Sequence, residues 1–356
     1  MNKHIKMMVY VFLVFALLLG ACTPAAAPTE AAKPEPAKSD AKPTSLKIAI
    51  VTTTPAEEPW NTVLLQAMDR VIATKPHGLD ITYTFQEQIA TTDGTRVLGE
   101  LAASGEYGII WGHSVYPDAI QALGPKYPDI AFVGGGSGYE PMGQNMFWVD
   151  MHNYEAAYLN GIIAGKMTKT NVIGAVAAYP YANVNEPINA FFEGAKSVNP
   201  AVKVKMNYID SWYDPAKAKE AALSEIAAGA DFVYAERFGP FEAAKEKGVL
   251  AFGHYADQNS LAPDTVVSSA LAMWDPCVMA IIDAWWEHEV NGAPYNASTE
   301  KALFFLMKDG ASDIAPYHGF EDKIPQDVKD LVNKTRDDIK SGKLVVPANI
   351  NEVKGD

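Results

Sequence analysis

The segment NVIGAVAAYPYANVNEPINAFFEGAKSVNPAVKVKMNYID, residues 171–210, decides the fold class. Residues 171–180 are small, apolar and β-branched, which predicts a buried strand. Residues 186–199 then repeat apolar side chains at helical spacing, and residues 201–210 return to a strand pattern. A strand, a helix and a second strand in this order predict one βα unit of a parallel sheet.

The same alternation continues on both sides of this segment. Further strands are predicted at 46–54, 79–88, 107–114, 129–137, 230–236 and 248–254, with helical patterns between them. The cycle restarts after residue 150, which predicts an α/β protein of two doubly wound parallel-sheet lobes. In open sheets of this kind, ligands bind beyond the carboxyl ends of the strands.

Composition narrows the possible partners. The excess of acidic over basic residues gives a net charge of -14, and no basic stripe is present. We therefore expect neither nucleic acid nor anionic lipid headgroups to bind this protein. The chain has two cysteines, Cys22 and Cys277. If Cys22 is modified, Cys277 has no partner for a disulfide, and we expect it to be a small buried residue.

The N-terminus predicts export. Lys3 and Lys6 precede an apolar run at 7–19, which as a helix covers roughly 20 Å, less than the roughly 30 Å of a bilayer core. Residues 1–21 are therefore predicted to be a signal peptide. The sequence Leu19-Gly20-Ala21-Cys22 resembles the lipobox of bacterial lipoproteins, which implies lipidation at Cys22. The Pro- and Ala-rich stretch 22–45 is predicted to be a disordered tether.

No catalytic constellation is present in the sequence. The histidines are scattered without a metal-ligand pair such as HExxH, and neither GxSxG nor GxxxxGK[ST] occurs. The glycine-rich stretch at 134–138 lacks the full dinucleotide fingerprint. We therefore predict no enzyme activity, no metal site and no cofactor.

Aromatic residues are concentrated at the predicted strand ends. They are Trp60, Trp111, Tyr116, Tyr139, Tyr179, Tyr181, Trp212, Tyr213, Phe238 and Tyr255. Lobe packing alone requires fewer, and aromatic faces commonly grip flat heterocycles. Few charged residues accompany them, which favours a neutral planar ligand.

Several segments resemble the basic membrane protein (BMP) family. They are YEAAYLNGIIAGKMTKTNVIG (154–174), NAFFEGAKSVNPAVKV (189–204), DSWYDPAKAKEAALSEIAAGADFVY (210–234) and FEAAKEKGVLAFGHYADQNSLAPDTVVSSALAMW (241–274). This family comprises lipoprotein substrate-binding components of ABC importers. The resemblance implies a type I periplasmic-binding-protein fold, two lobes joined by hinge crossovers, and a purine base or nucleoside as ligand.

The resemblance also implies site residues. The family's aromatic-Asn pair corresponds to Trp60-Asn61, and its second stacking aromatic to Trp212. Where the family has an Asp and a Lys for the ribose, this chain has Tyr255 and Ala272. Losing a carboxylate and an ammonium removes charge-assisted hydrogen bonds. These departures favour a free base over a nucleoside. The sequence Trp212-Tyr213-Asp214-Pro215 and Trp274 resemble a branch of the family whose ligand is adenine-like.

We therefore expect Trp60 and Trp212 to stack on the ligand. Candidates for other contacts, mostly hydrogen bonds to its edge, are Asn61, His113, Tyr116, Glu236, Tyr255, Asp257 and Trp274. The expected protein is a monomeric, lipid-anchored receptor on the extracytoplasmic face of the membrane, serving the permease of an ABC importer. A nucleoside receptor, a ligand-sensing receptor for a membrane signalling protein, and a nucleoside hydrolase are the alternatives.

The expected lobe boundaries complete these predictions. The first lobe is predicted to comprise 46–149 and 254–288, the second lobe 150–253 and 289–346, and residues 347–356 a C-terminal tail.

Overall fold

The computed structural model describes residues 42–136 and 141–356. The predicted signal peptide, Cys22 and nearly all of the predicted tether lie outside the described residues, as does Tyr139. The described residues form two lobes, each built on a six-stranded sheet. Among these residues, no helix has the length and apolar character needed to cross a bilayer.

The first lobe contains a fully parallel sheet. Its strands are β1 (Ser45–Val51), β2 (Asp80–Gln86), β3 (Ile109–His113), β4 (Ala131–Gly135), β5 (Met146–Met151) and β11 (Leu303–Phe305). They lie in the order β11-β5-β4-β3-β1-β2, and every adjacent pair is parallel. The central strands are continuously apolar because helices cover both faces of the sheet, as in β3, where all five residues are buried.

The second lobe repeats this plan. Its strands are β6 (Val172–Ala177), β7 (Lys203–Tyr208), β8 (Phe232–Ala235), β9 (Leu250–Tyr255), β10 (Val266–Ala272) and β12 (Ser312–Ile314). Their order is β12-β10-β9-β8-β6-β7, and only β12, at one edge, runs antiparallel to its neighbour. The predicted fold class of two doubly wound lobes is confirmed.

Helices cover both faces of each sheet. The first lobe carries α1 (Pro59–Ala73), α2 (Gly94–Ala103), α3 (Pro117–Leu123) and α8 (Asp275–Asn291). The second lobe carries α4 (Tyr154–Met167), α5 (Ala182–Val198), α6 (Pro215–Ala227), α7 (Pro240–Lys247) and α9 (Gln326–Lys340). Helix α4 is apolar around most of its circumference because it is buried in the core of the second lobe.

The strand order differs from the predicted lobe boundaries in three places. Strand β10 and the last residues of β9 belong to the second sheet, although 254–288 had been assigned to the first lobe. Strand β11 pairs with β5 in the first lobe, although 289–346 had been assigned to the second. The predicted tail 347–356 packs on the second lobe, where Val353 is buried. Local sequence patterns identify strands but do not reveal which sheet each strand joins.

Within the described residues the chain passes between the sheets after β5, after β10 and after β11. These crossovers are hydrogen-bonded to one another, through the His152 N–H to the Phe305 carbonyl over 2.9 Å and the Met273 N–H to the Ala311 carbonyl over 2.8 Å. We refer to them together as the hinge. The carboxyl ends of β1, β3, β6, β8 and β9 consequently face one another across the cleft, which brings their following loops together.

Candidate ligand-binding cleft

A cavity lies between the two lobes. The first lobe lines it with Thr53, Thr54, Glu58, Trp60, Ser114 and Val115, and the second lobe with Asn183, Trp212, Arg237 and Tyr255. Each of these residues ends or follows a strand at its carboxyl end or begins the next helix. The cavity therefore occupies the place where open α/β sheets bind ligands.

Trp60 forms the wall of the cavity on the first lobe. One face of its indole stacks on His113, with ring centroids 5.0 Å apart and planes 14° apart. Trp274 contacts the same indole edge-on at 5.0 Å, and the indole Nε1 donates to Ser114 Oγ over 2.9 Å. Glu58 caps α1 by accepting the Trp60 backbone N–H over 3.0 Å. The ring is thus fixed by packing on one side and by hydrogen bonds at its edge and backbone.

Trp212 forms the opposing wall on the second lobe. Its half-buried indole packs against Tyr179 and Tyr181, with centroids 5.1 and 5.8 Å away. The Tyr179 hydroxyl donates to the Asp210 carbonyl over 2.8 Å, which holds the loop carrying Trp212. Asp214 then caps α6 by accepting the Lys217 N–H over 3.0 Å. These contacts fix the loop 210–214 between β7 and α6 and hence the position of the indole.

Strained backbone marks the edges of the cavity. Ser114 and Tyr255, which line it, have φ angles of +78° and +66°. Asp210, two residues before Trp212, has a φ of +49°. A residue other than glycine in this left-handed region costs on the order of 1–3 kcal/mol, and such residues cluster at binding sites. Six other non-glycine residues of the described chain also have positive φ, so the strain at Ser114 and Tyr255 is consistent with a binding role without establishing one.

A buried cluster of three charges lies beside both tryptophans. Arg237 Nε donates to Glu236 Oε2 over 2.8 Å, and its Nη2 donates to Glu236 Oε1. Arg237 Nη1 donates to Glu58 Oε1 and to the Trp212 carbonyl, both over 3.1 Å. Burial raises the pKa of Glu58 to about 7, against the opposing effect of the Arg237 charge. Burial also raises the pKa of Glu236, and Arg237 opposes this shift as well.

A second, more polar chamber adjoins the cavity on the hinge side. The two share Trp60, Asn183 and Tyr255, and the chamber adds Asp150, Met151, His152, Asn153 and Glu186. His152 Nδ1 lies 2.6 Å from Glu186 Oε2. Burial raises the pKa of Asp150 to about 7. No group of three or more His, Cys, Asp or Glu side chains in the described part of the chain could hold a metal ion.

Three of the predicted site residues line the cavity, namely Trp60, Trp212 and Tyr255. Two others, His113 and Trp274, are fully buried behind the Trp60 indole and support it. Burial lowers the pKa of His113 to about 3, so its ring is neutral. Both were expected to contact the ligand directly, but the Trp60 ring lies between them and the cavity.

The other four predicted residues do not line the cavity. Asn61 donates to the Pro55 carbonyl over 2.7 Å and ties down the loop before α1. Tyr116 turns into the core of the first lobe and donates to the Ile89 carbonyl over 2.6 Å. The Glu236 carboxylate accepts hydrogen bonds from Arg237, and Oδ2 of the exposed Asp257 lies 2.7 Å from His318 Nε2. Their hydrogen bonds go to protein groups.

Sequence reasoning missed two charged residues of the cavity, Glu58 and Arg237. Glu58 directly precedes Pro59-Trp60, so its role as a helix cap could have been found from the acceptor-Pro pattern. Arg237 directly follows the predicted contact residue Glu236 but belongs to no recognisable motif. Its contact with Glu58 joins residues that are 179 positions apart, so no local sequence pattern predicts it.

Comparisons with known proteins agree with this geometry. A family model described as ABC transporter substrate-binding protein PnrA-like matches residues 47–297. A purine-binding protein of Brucella abortus (strain 2308) is 31% identical over 268 residues, which cover 73% of this chain and 71% of that protein. A putative ABC transporter glucose-binding protein of Haloferax volcanii is 31% identical over 278 residues, covering 75% of this chain and 65% of that protein.

A solved structure supports the same fold. The ABC transporter solute-binding protein from Conexibacter woesei superposes with a TM-score of 0.66 at 21% identity. The match covers 86% of this chain and 100% of that chain. At this level of identity the likeness concerns the fold, including its two lobes.

The buried position of His113 makes a prediction about pH. Its folded-state pKa of about 3 lies below the ordinary 6.5, so the unfolded chain binds more protons between these values. The protein should therefore lose stability as the pH falls through this window. At pH 5 the loss from this one residue is about 2 kcal/mol, since each pH unit below 6.5 costs about 1.4 kcal/mol.

The variant His113→Phe keeps a ring under Trp60 and has no proton to bind. The difference in free energy of unfolding between the variant and the parent, from urea titrations, should shift by about 2 kcal/mol in favour of the variant between about pH 7.5 and pH 5. The measurement at about pH 7.5, where both states of the histidine are neutral, is the control. A difference independent of pH would mean that His113 titrates normally in the folded protein.

Proposed function

Because the chain belongs to the family of PnrA-like ABC transporter substrate-binding proteins, we propose that it captures a purine base between its lobes for an importer. The observation that carries this proposal is that Trp60 and Trp212 come from different lobes and line one cavity. A flat heterocycle placed between two indoles buries both of its faces at once. Such stacking contributes roughly 1–3 kcal/mol per aromatic contact.

The other groups around the cavity fit a flat, nitrogen-rich ligand. Hydroxyl groups of Thr53, Thr54 and Ser114 and the amide of Asn183 line the same space. Hydroxyl and amide groups both donate and accept, as the edge of a purine requires. The name of the Brucella relative, a purine-binding protein, points to the same class of ligand.

A free base fits better than its nucleoside at two positions. Tyr255 and Ala272 are 4% exposed and belong to the same apolar cluster as Trp60 and Trp274. A ribose directed there would meet an aromatic ring and a methyl group. Each buried hydroxyl left without a partner costs on the order of 1–3 kcal/mol.

A purine nucleoside is the second candidate, and the hinge-side chamber favours it. Asp150, Asn153 and Asn183 lie beside Trp60 and Tyr255, so a sugar extending towards the hinge would meet acceptors and donors there. The name of the Haloferax relative, a putative glucose-binding protein, is consistent with a chamber that takes hydroxyl groups.

The setting proposed for this function is the extracytoplasmic face of a membrane, with Cys22 as the lipid anchor and the permease of an ABC importer as the partner. As an alternative, the ligand-bound protein binds a membrane signalling protein that senses the ligand. Nucleoside hydrolysis is the least supported alternative, because the matching family is described as substrate-binding proteins of ABC transporters.

The Cys22→Ala variant tests the anchor. The parent protein should partition into the detergent phase of a Triton X-114 extraction, because a diacylglycerol chain adds a large apolar surface. The variant should appear in the aqueous phase or remain unprocessed. A variant that still carries a lipid by mass spectrometry would show that the anchor lies elsewhere.

Removing either stacking ring tests the proposed site. Trp60→Ala and Trp212→Ala should each weaken adenine binding by roughly 1–3 kcal/mol, which is about 5- to 150-fold in Kd. Isothermal titration calorimetry measures this directly. Trp286→Ala is the matched control, because that indole stacks on His77 in the first lobe and does not line the cavity. Unchanged affinity in both folded cleft variants would refute the sandwich.

Paired titrations decide between the base and the nucleoside. Adenine should bind about tenfold or more tightly than adenosine, because the ribose leaves at least one hydroxyl unsatisfied beside Tyr255. Hypoxanthine and inosine provide a second pair. Equal or tighter binding of the nucleosides would favour the second candidate. In that case Asp150→Asn should weaken the nucleosides and leave the bases unaffected.

A further inference from the structure

We propose that Arg237 is a positioning residue that links closure of the two lobes to the alignment of Trp60 and Trp212. This inference rests on the proposed function in one respect, namely that the two tryptophans hold the ligand. It concerns a contact across the cleft, which the sequence and the comparisons do not assign.

Arg237 is held on the second lobe independently of the first. Its guanidinium makes two hydrogen bonds to Glu236, the preceding residue. Glu236 Oε2 also accepts the Ala178 backbone N–H over 3.0 Å, and Ala178 follows β6 of the same lobe. Because all three residues move with the second lobe, these contacts persist when the lobes separate.

The remaining nitrogen of Arg237 reaches across the cleft. Nη1 donates to Glu58 Oε1 on the first lobe and to the Trp212 carbonyl on the second. On the first lobe, Glu58 Oε2 accepts the backbone N–H of Trp60. A continuous series of hydrogen bonds therefore connects Trp60, Glu58, Arg237 and Trp212, and only the step between Glu58 and Arg237 crosses between lobes.

Arg237 is poorly suited to bind the ligand through its charge. A guanidinium has five N–H donors, and the four hydrogen bonds to Glu236, Glu58 and Trp212 occupy four of them. Its charge is already opposed by two carboxylates at hydrogen-bond distance. The geometry thus assigns Arg237 to holding the walls of the cleft.

Opening the cleft has unequal consequences for the two carboxylates. Glu236 keeps its guanidinium partner, whereas Glu58 loses it and gains contact with water. In the closed form the side chains of Glu58 and Arg237 are 4% and 7% exposed. If the guanidinium were absent, closure would have to bury two unpaired carboxyl groups side by side, and they would have to stay charged or take up protons, both of which are unfavourable. Closure therefore depends on Arg237 far more than the open form does.

The Arg237→Met variant tests this dependence. Adenine affinity measured by calorimetry should fall by roughly 10- to 100-fold, because the closed form now buries both carboxylates. Arg70→Met is the matched control. Arg70 makes an equally close bidentate pair with Asp275, at 2.8 and 2.6 Å, but both residues belong to the first lobe. That variant should bind adenine within about twofold of the parent.

The double variant Glu58→Gln/Arg237→Met separates positioning from a merely structural role. It should bind adenine more tightly than Arg237→Met alone, because one of the two buried carboxylates is now neutral. If Arg237 only stabilised the second lobe, the Glu58→Gln substitution on the first lobe would not restore adenine affinity. An affinity of Arg237→Met within twofold of the parent, or no gain in the double variant, would overturn the proposal.

Small-angle X-ray scattering tests the role of Arg237 in a way that does not depend on the identity of the ligand. Without adenine, Arg237→Met should have a larger radius of gyration than the parent and than Arg70→Met, and the double variant should return towards the parent. If the parent protein fails to bind adenine, the proposed ligand is wrong and scattering alone decides on Arg237. Equal radii in all four proteins would then count against the cross-cleft role.

Discussion

Two indole rings from separate lobes can enclose a flat ligand only while the lobes are held at one spacing. In this protein that spacing coincides with the ion pair between Glu58 and Arg237, which crosses the cleft beside both rings. Buried charge is costly, so such a pair is tolerated only where its hydrogen bonds are complete. Here Glu236 and the Trp212 carbonyl accept three further hydrogen bonds from Arg237, so that four of its five donors are paired.

The rest of the site is arranged to keep the indoles from moving. Trp60 rests on His113 and Trp274, which are buried without lining the cavity. Trp212 is supported by two tyrosines on its own lobe. Rigid supports of this kind lower the cost of ordering the site when the ligand arrives. The polar chamber beside the hinge gives the same cleft a second region with different chemistry, which is why base and nucleoside are distinct hypotheses here.

The fold and part of the site could be predicted from the sequence. Alternating strand and helix patterns fix two parallel sheets, and the carboxyl ends of parallel strands meet at one edge. That rule placed ten aromatic residues at this edge, and the family resemblance singled out Trp60 and Trp212; both line the cavity together with Tyr255. The rule could not give the direction of each side chain, so Tyr116, which follows β3, was expected in the cleft although its ring packs in the core.

Local sequence patterns could not predict contacts between segments that are distant in the chain. Strand β10 joins the second sheet through pairing with β9, with only one turn of 3-10 helix between them, so the alternation of strands and α-helices used to divide the lobes gave no guidance there. The same limit applies to Glu58 and Arg237, which are distant in sequence and adjacent in space. The Glu58–Arg237 contact lies at the cleft between the lobes, and the sequence of either lobe alone gives no indication of it.

The central claim is that the ligand lies between indoles supplied by opposite lobes, and a crystal structure of the protein grown with adenine tests it most directly. The account predicts adenine between Trp60 and Trp212, with ring centroids within about 4.5–7 Å of both indoles and the Glu58–Arg237 pair intact. Adenine bound in the hinge-side chamber, or in contact with only one of the two indoles, would contradict it.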